Sequence, residues 1–247
     1  MSLEITHIYL FYSILPIISF LYASVGHGGA SGYLALMALF SFSPEVMKPT
    51  ALLLNLFVAG ISFYHYYKQR FFNRKLFLAF AVTSIPMAFL GGTFDIDATV
   101  YKKILGVLLF FAVLKMLNVF GKESQDIKDV KIWRGLIIGG IIGFFSGLIG
   151  IGGGIILTPV ILLLHWGNMK QAAAVSALFI WVNSAAGLIG QVSTGVTFSS
   201  QSFLMVALAI VGGFLGAYLG SKRFSYKRLK QLLAVVLIMA SIKLFWI

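Results

Sequence analysis

The chain has 247 residues, of which 60% are hydrophobic and only 11% are charged. This composition cannot cover a water-facing surface, so it excludes a soluble globular protein and makes lipid the solvent. The net charge of +12 would suit nucleic acid. However, the basic residues lie in short stretches between apolar segments, where they set membrane orientation, so we expect no nucleic-acid partner.

Apolar stretches follow one another along almost the whole chain, and a membrane-spanning helix needs about 20 such residues. The stretches cover residues 8–40, 50–67, 76–94, 104–119, 133–165, 172–191, 203–220 and 231–247. The first and the fifth are longer than one span, and each has a glycine cluster near its middle. The clearly hydrophilic stretch lies halfway along the chain. We therefore predict an all-α integral membrane protein with a first half at 1–121, a connecting loop at 122–131 and a second half at 132–247.

Short motifs recur in the same order in both halves, which indicates an internal duplication. The spacing is 124 residues for the glycine cluster, 122 for a Met-Lys pair and 125 for two further motifs. The pairs are Gly26-x-Gly28-Gly29 with Gly150-x-Gly152-Gly153, Met47-Lys48 with Met169-Lys170, Leu90-Gly91 with Leu215-Gly216, and Tyr101-Lys102-Lys103-Ile104 with Tyr226-Lys227-Arg228-Leu229.

Lysine and arginine predict the orientation of the halves. If every segment crossed once, the two sides of the membrane would carry equal numbers of basic residues. If each long segment enters, breaks at its glycines and returns, one side keeps only Lys48, Lys102, Lys103 and Lys243. The positive-inside rule selects this second arrangement. It places both termini outside an inner membrane and loops 68–75, 121–134 and 221–230 in the cytoplasm.

The same arrangement gives each half an odd number of passes or half-passes, so the second half is upside down relative to the first. We therefore predict two inverted repeats, each with one glycine-broken, re-entrant segment and three further transmembrane helices. Secondary transporters are often built in this way, with the substrate site between the repeats near mid-membrane.

The two glycine clusters are the strongest candidates for a site. Non-helical backbone survives in hydrocarbon only where it is buried or lines a wet cavity. A half-helix that begins after each break would aim its unpaired N–H groups and the positive end of its dipole at the membrane centre, where an anion could bind. The alternative is that glycines allow close helix packing, and we favour that alternative for Gly139, Gly143, Gly147, Gly212, Gly216 and Gly220.

The clusters, with the apolar runs that follow them, resemble the TauE/SafE sulfite exporter family over nearly the whole chain. Gly150-Ile-Gly-Gly-Gly-Ile-Ile-Leu-Thr-Pro159 is similar to the family's pattern, and Ala173-Ala-Val-Ser176 resembles the stretch that follows it. In the first half, Gly26-His27-Gly28-Gly29 is present, but Leu34 or Ala35 stands where the family has proline. The resemblance implies transport of sulfite or organosulfonates without ATP.

Polar side chains inside apolar helices are costly and call for a partner or a role. Neutral donors such as Asn55, Ser176 and Asn183 could line an anion path, or could simply hydrogen-bond neighbouring helices. His27 could bind the anion or carry a proton near neutral pH. The predicted substrate-binding residues are Gly26, His27, Gly28, Gly29, Ser31, Asn55, Gly152, Gly153, Gly154, Ser176 and Asn183.

Other functions fit the sequence less well. Gly29-Ala30-Ser31-Gly32 has the form used by intramembrane serine proteases, but such an enzyme needs a histidine base on a neighbouring helix. The sequence contains neither H-E-x-x-H nor a phosphate-binding G-x-x-x-x-G-K-[ST] loop, and it has no cysteine. We expect no enzyme, no cofactor and no metal. A passive anion channel remains an alternative.

The sequence therefore predicts a secondary transporter, in the export direction, for a small anion such as sulfite or an organosulfonate. The expected mechanism is alternating access around a mid-membrane site at paired half-helix N-termini. The expected partners are the anion, the lipid bilayer and a coupled proton or cation. The sequence leaves open whether the protein forms a homo-oligomer.

Overall fold

The computed structural model describes residues 2–24, 27–116, 127–198, 200–220, 237–239 and 241–244. The regular structure in these ranges is α-helical throughout. The helices are α1 Ser2–Ser24, α2 Ala30–Leu39, α3 Pro44–Lys68, α4 Arg74–Thr93, α5 Ala98–Met116, α6 Ile132–Ile149, α7 Gly154–Leu163, α8 Met169–Ser193 and α9 Ser200–Gly220, with further helical residues at 237–239 and 241–244.

Five of these helices are long and apolar enough to cross a membrane: Pro44–Lys68, Arg74–Thr93, Ile132–Ile149, Lys170–Ser193 and Ser200–Leu219. Their outward faces carry exposed large apolar side chains such as Phe57, Val82, Ile137 and Val211. Such faces suit lipid rather than water. The prediction of an all-α, multi-pass membrane protein is therefore confirmed at this level.

Both long apolar segments are broken where the glycines predict. Helix α1 ends at Ser24 and α2 begins at Ala30, while α6 ends at Ile149 and α7 begins at Gly154. The helix after each break has 10 residues, and the next helix, α3 or α8, has 25. Breaks within both segments are confirmed, while the return of each segment to its starting side stays a prediction.

Helices α3 and α8 form the centre of the molecule and pack against each other. Pro44 begins α3 and Asn168 caps α8, where its side chain accepts from the Gln171 backbone N–H at 2.9 Å. The main hydrogen-bonding side chains of both helices are buried. Any site at the core of this fold therefore has to be built on α3, α8 and the two short helices.

Helix α6 crosses α4, and helix α1 crosses α9, at very short range because glycines line both contacts. A side chain at Gly139, Gly143 or Gly147 would strike the backbone of α4, and one at Gly212 or Gly216 would strike the backbone of α1. The packing role that the four-residue spacing predicts is confirmed for these five glycines. Gly220 ends α9, and its contacts lie outside the described residues.

The two crossings use corresponding positions of the two halves. Gly91 of α4 approaches the carbonyl oxygen of Phe144 in α6, and Gly216 of α9 approaches that of Phe20 in α1. These glycines are 125 residues apart in the chain and the phenylalanines 124. The spacing of the sequence motifs is thus repeated in the contacts between helices.

The connecting loops lie partly outside the described residues. The loop between α3 and α4 covers residues 69–73, within the predicted 68–75. Residues 127–131 precede α6, so 132–134 of the predicted 121–134 loop are helical. The remainder of that loop and the predicted loop 221–230 are not described.

Replacing Gly143 with alanine should destabilise the protein by about 1–3 kcal/mol, because the new methyl group would overlap the Ser84 backbone and force α4 and α6 apart. Gly140→Ala on the same helix is the control, since its nearest atom, Thr83 Cβ, would lie 3.7 Å away. Thermal unfolding in detergent measures both. Equal melting temperatures for the two variants would contradict the close-packing role.

Candidate functional site

A small cavity lies at the meeting point of α1, α2, α3, α7 and α8. The space open to the centre of a water molecule is about 10 Å³, which is room for about one water. Its lining residues are Tyr22, His27, Gly29, Ala30, Ser31, Asn55, Ile151, Ile155 and Ile180. The cavity therefore touches both chain breaks and both central helices.

The first break brings a helix N-terminus to the cavity. Gly29 precedes α2 with φ of 103°, in the left-handed region that favours glycine. Gly29, Ala30 and Ser31 all line the cavity, and the N–H groups in the first turn of a helix have no acceptor within that helix. The cavity thus lies against the positive end of the α2 dipole.

The second break is built in the same way. Gly150, Gly152 and Gly153 have φ of 85°, 74° and 76°, and α7 begins at Gly154. Ile151 in the break and Ile155 in the first turn of α7 line the cavity. This break therefore reaches the cavity with backbone and apolar side chains.

Asn55 of α3 stands between the two breaks. A Cβ on Gly28 would lie 2.7 Å from Asn55 Oδ1 and 2.8 Å from Ile180 Cγ2. A Cβ on Gly152 would meet Asn55 Nδ2 and would lie 3.0 Å from the same atom of Ile180. Glycine is needed at both positions because the backbone of each break passes directly over these two side chains.

The Asn55 amide keeps unused hydrogen-bonding capacity although the residue is fully buried. Its Nδ2 donates to Ser184 Oγ at 3.2 Å, and its Oδ1 has no partner among the residues that the structure describes. Rotation of the amide by half a turn would let the Ser184 hydroxyl donate to Oδ1 and would free Nδ2 as a donor. A buried polar group left unpaired is costly, which suggests that it has a ligand.

A chain of hydrogen-bonding groups links the first break to the second half of the molecule. His27 Nε2 lies 3.2 Å from Thr158 Oγ1, which lies 2.8 Å from Ser176 Oγ. The Thr158 hydroxyl also lies 3.1 Å from the Gly154 carbonyl oxygen. The hydroxyl groups of Thr158 and Ser176 thus link His27 to α7 and α8, and both hydroxyls carry exchangeable protons.

Ser31 belongs to a second network that fastens α2 to α1. Its hydroxyl donates to Tyr22 Oη at 2.7 Å. Two residues further along α2, Tyr33 Oη donates to Ser19 Oγ at 3.0 Å, and the Ser19 hydroxyl donates to the Ala209 carbonyl of α9. The partner of the Ser31 hydroxyl here is a phenol, which has none of the basicity that a serine nucleophile requires at neutral pH.

The structure brings most of the sequence-predicted residues together, though not all of them. His27, Gly29, Ser31 and Asn55 line the cavity. Three predicted glycines, Gly28, Gly152 and Gly154, pack against Asn55 or Ile180, and Gly153 packs against Ile142 and Phe179. Ser176 is linked to His27 through Thr158. Gly26 lies outside the described residues.

Asn183 is placed elsewhere, because its amide is used between helices. Its Oδ1 accepts from the Ser84 hydroxyl of α4, and its Nδ2 donates to the Phe179 carbonyl at 2.8 Å. The residue does not appear among those that line the cavity. In this conformation Asn183 joins α8 to α4, as the interhelical alternative predicts.

Sequence reasoning missed Thr158, Tyr22 and the three isoleucines of the cavity. Thr158 is four residues after Gly154 on an otherwise apolar helix, and this spacing puts both on one helix face. Its position after a glycine break was therefore a usable signal. Tyr22 and the isoleucines gave none, since apolar and aromatic residues fill every segment of this chain.

Comparison with known proteins agrees with the architecture. A family model described as "Sulfite exporter TauE/SafE" matches residues 13–244. The "Probable membrane transporter protein y4hK" of Sinorhizobium fredii is 37% identical over 235 residues, which cover 93% of this chain and 95% of that protein. The "Probable membrane transporter protein YunE" of Bacillus subtilis is 23% identical over 224 residues, covering 83% and 82%.

Another relative matches about half of the chain. The "Probable membrane transporter protein MJ0441" of Methanocaldococcus jannaschii is 29% identical over 132 residues, which cover 52% of this chain and 49% of that protein. No solved structure matches the chain. The family match extends over nearly the whole sequence and excludes the protease interpretation of Ser31. The chain belongs to the TauE/SafE sulfite exporter family and is a membrane transporter, not an enzyme.

Proposed function

We propose that this protein is a secondary transporter that exports a small oxyanion, sulfite or an organosulfonate, through a site at the cavity between the two breaks. The observation that carries the proposal is the convergence on one cavity of the α2 N-terminus and the buried Asn55 amide, whose Nδ2 can donate to an anion when the amide is rotated so that Ser184 pairs with Oδ1. The family description supplies the sulfur oxyanion and the direction of transport.

The chemistry of the cavity suits an anion held by neutral donors. Hydroxyl, amide, imidazole and backbone N–H groups line it, and no carboxylate is found among its described lining residues. Such donors, together with a helix dipole, bind an oxyanion without burying a fixed positive charge. An anion held by neutral groups can also leave the site, which transport requires.

The corresponding contacts of the two halves support an inverted duplication and alternating access. Gly28 and Gly152 face the same pair of side chains, Asn55 and Ile180. Two breaks that converge on shared side chains are what two-fold related repeats would produce, with repeats at 1–121 and 132–247. Movement of one repeat against the other would then open the site to each side in turn.

The small size of the cavity fits a cycle of this kind. Its space of about 10 Å³ holds about one water and is too small for a tetra-atomic oxyanion. The breaks must therefore move away from α3 and α8 to admit substrate. In the proposed orientation both termini face outside an inner membrane, and the basic loops are cytoplasmic.

Uptake of sulfite, a sulfonate, sulfate and chloride into proteoliposomes, with and without a proton gradient, tests the proposal. We expect saturable flux of a sulfur oxyanion and accumulation against its gradient. Gly152→Ala should reduce this flux about tenfold or more, because the methyl group would enter the site at Asn55. Flux of no anion would sink the proposal, and non-saturable flux strictly down the gradient would identify a channel.

Gly195→Ala is the matched control for that variant. Gly195 has a similar φ of 91°, but a Cβ there would meet nothing within 4 Å. Both substitutions therefore carry the same type of backbone strain, and only one enters the cavity. Equal loss of flux in the two variants would mean that strain, and not the site, explains the effect.

Asn55→Ala should weaken anion binding about tenfold to hundredfold, the loss expected for one hydrogen bond to a charged group. Asn183→Ala is the comparison, because its amide joins α8 to α4 and lies outside the cavity lining. That variant should lower the melting temperature and leave the affinity unchanged. Binding is measured by calorimetry in detergent, and the reverse pattern would assign the site to Asn183.

His27→Gln should abolish the response of flux to a pH gradient while keeping exchange of anion for anion, if His27 carries the coupled proton. Glutamine retains hydrogen-bonding capacity toward Thr158 but does not titrate. The measurement is gradient-driven uptake and counterflow in the same vesicles. Full gradient-driven uptake by this variant would remove His27 from the coupling mechanism.

A further inference from the structure

The cavity has one polar wall and one apolar wall, and the two walls come from different halves of the chain. The first half contributes the polar side chains Tyr22, His27, Ser31 and Asn55. The second half contributes three isoleucines: Ile151, Ile155 and Ile180. Among the lining side chains larger than alanine, every polar one comes from the first half and every apolar one from the second half.

The isoleucines occupy the positions that correspond to the polar residues. Ile151 and Ile155 stand 124 residues after His27 and Ser31, which is the spacing of the two glycine clusters. Ile180 stands 125 residues after Asn55, and the helices that carry them, Pro44–Lys68 and Met169–Ser193, have 25 residues each. His27, Ser31 and Asn55 of the first half thus each have an isoleucine as counterpart in the second, while the position that corresponds to Tyr22 is Ser146.

The contacts around the glycines support this correspondence in space. Gly28 and Gly152 both face Asn55 and Ile180, and their third neighbours are Ala59 and Ser184. These third neighbours are again 125 residues apart. Asn55 and Ile180, one from each central helix, are therefore neighbours in space at the cavity.

The isoleucine wall is held firmly in place. Ile151 and Ile180 are each 3% exposed, and Ile155 is 7% exposed. A Cβ on Gly154 would collide with the Ile180 side chain, which shows how tightly that side chain fits against the α7 N-terminus. The side chains of this wall have no hydrogen bond to offer to an oxygen, so the ligand atoms that pack against them must be apolar.

We infer that the substrate is an oxyanion with a short apolar substituent, such as an alkanesulfonate. Its sulfonate group faces Ser31, Asn55 and the α2 N-terminus, and its alkyl group faces Ile151, Ile155 and Ile180. This inference rests on the proposed transport function and assigns the three isoleucines as specificity-determining residues. A bare oxyanion such as sulfite would leave one face without hydrogen-bond partners.

The test compares uptake of sulfite, ethanesulfonate and hydroxyethanesulfonate by the full chain in proteoliposomes. The two sulfonates share the charged group and differ by one hydroxyl at the end that faces the isoleucines. We expect kcat/KM for ethanesulfonate to exceed that for hydroxyethanesulfonate by about tenfold to a hundredfold, the discrimination available to an apolar pocket. Ethanesulfonate should also be preferred to sulfite.

Ile155→Thr adds a hydroxyl to the wall at the position that corresponds to Ser31, so the preference for ethanesulfonate over hydroxyethanesulfonate should fall toward equality. Ile156→Thr is the control, because the neighbouring Ile156 is half-buried and does not line the cavity. If Ile155→Thr fails to fold, as judged by size-exclusion chromatography, Ile151→Thr applies the same test to the wall.

The outcomes separate this inference from the function on which it rests. Sulfite transported as well as ethanesulfonate, or equal sulfonate preferences in the Ile155 and Ile156 variants, would overturn the inference and leave the transporter intact. Flux of none of the three anions would overturn both. A selectivity change confined to the variants of the isoleucine wall supports the inference.

Discussion

The whole structure depends on one constraint, which is that backbone N–H and C=O groups inside a membrane must find partners within the protein. A helix satisfies its own groups, and a broken helix does not. This chain has a break in each half, so it must surround both breaks with polar groups or with tightly packed side chains. The hydroxyls, amides and imidazole that meet at the cavity come from the helices next to these breaks. The same groups that make the breaks tolerable could also bind an anion.

Glycine serves two separate purposes in this molecule. At Gly143 and Gly147 it lets one helix lie against the backbone of another, and the backbone there remains helical. At Gly29 and Gly153 it supplies left-handed backbone immediately before the next helix begins. The sequence distinguishes the two uses by spacing, because glycines four apart follow one helix face whereas consecutive glycines cannot extend a helix cheaply. Spacing is therefore more informative here than the number of glycines.

The helix breaks and the burial of Asn55 were accessible from the sequence, because each follows from a local pattern. The role of Asn183 was not. Asn55 and Asn183 look alike in sequence, since each is an asparagine within an apolar helix after a break. What separates them is the neighbouring helix: Asn183 faces Ser84 of α4, whereas Asn55 faces the two breaks. Which neighbour each asparagine faces depends on the rotation of its helix about the helix axis, and this rotation is set by long-range packing. The role of Thr158 was accessible only in part, because its position after a glycine break is visible in the sequence, whereas its contact with His27, a residue from the other half of the chain, is not.

A duplicated fold places two equivalent positions around its centre, but a substrate with two different ends cannot make the same contacts with both. The pairing of Asn55 with Ile180, and of Ser31 with Ile155, is a way to give such a ligand one orientation. It also bears on the transport cycle. If the charged group stays with the polar wall while the two halves move, its hydrogen bonds persist from one side of the membrane to the other. Only the contacts with the isoleucines then change during the movement. Apolar contacts are non-directional and individually weak, so sliding along them costs less than exchanging hydrogen bonds. The anion would then keep its hydrogen-bond partners throughout the transition between the two open states.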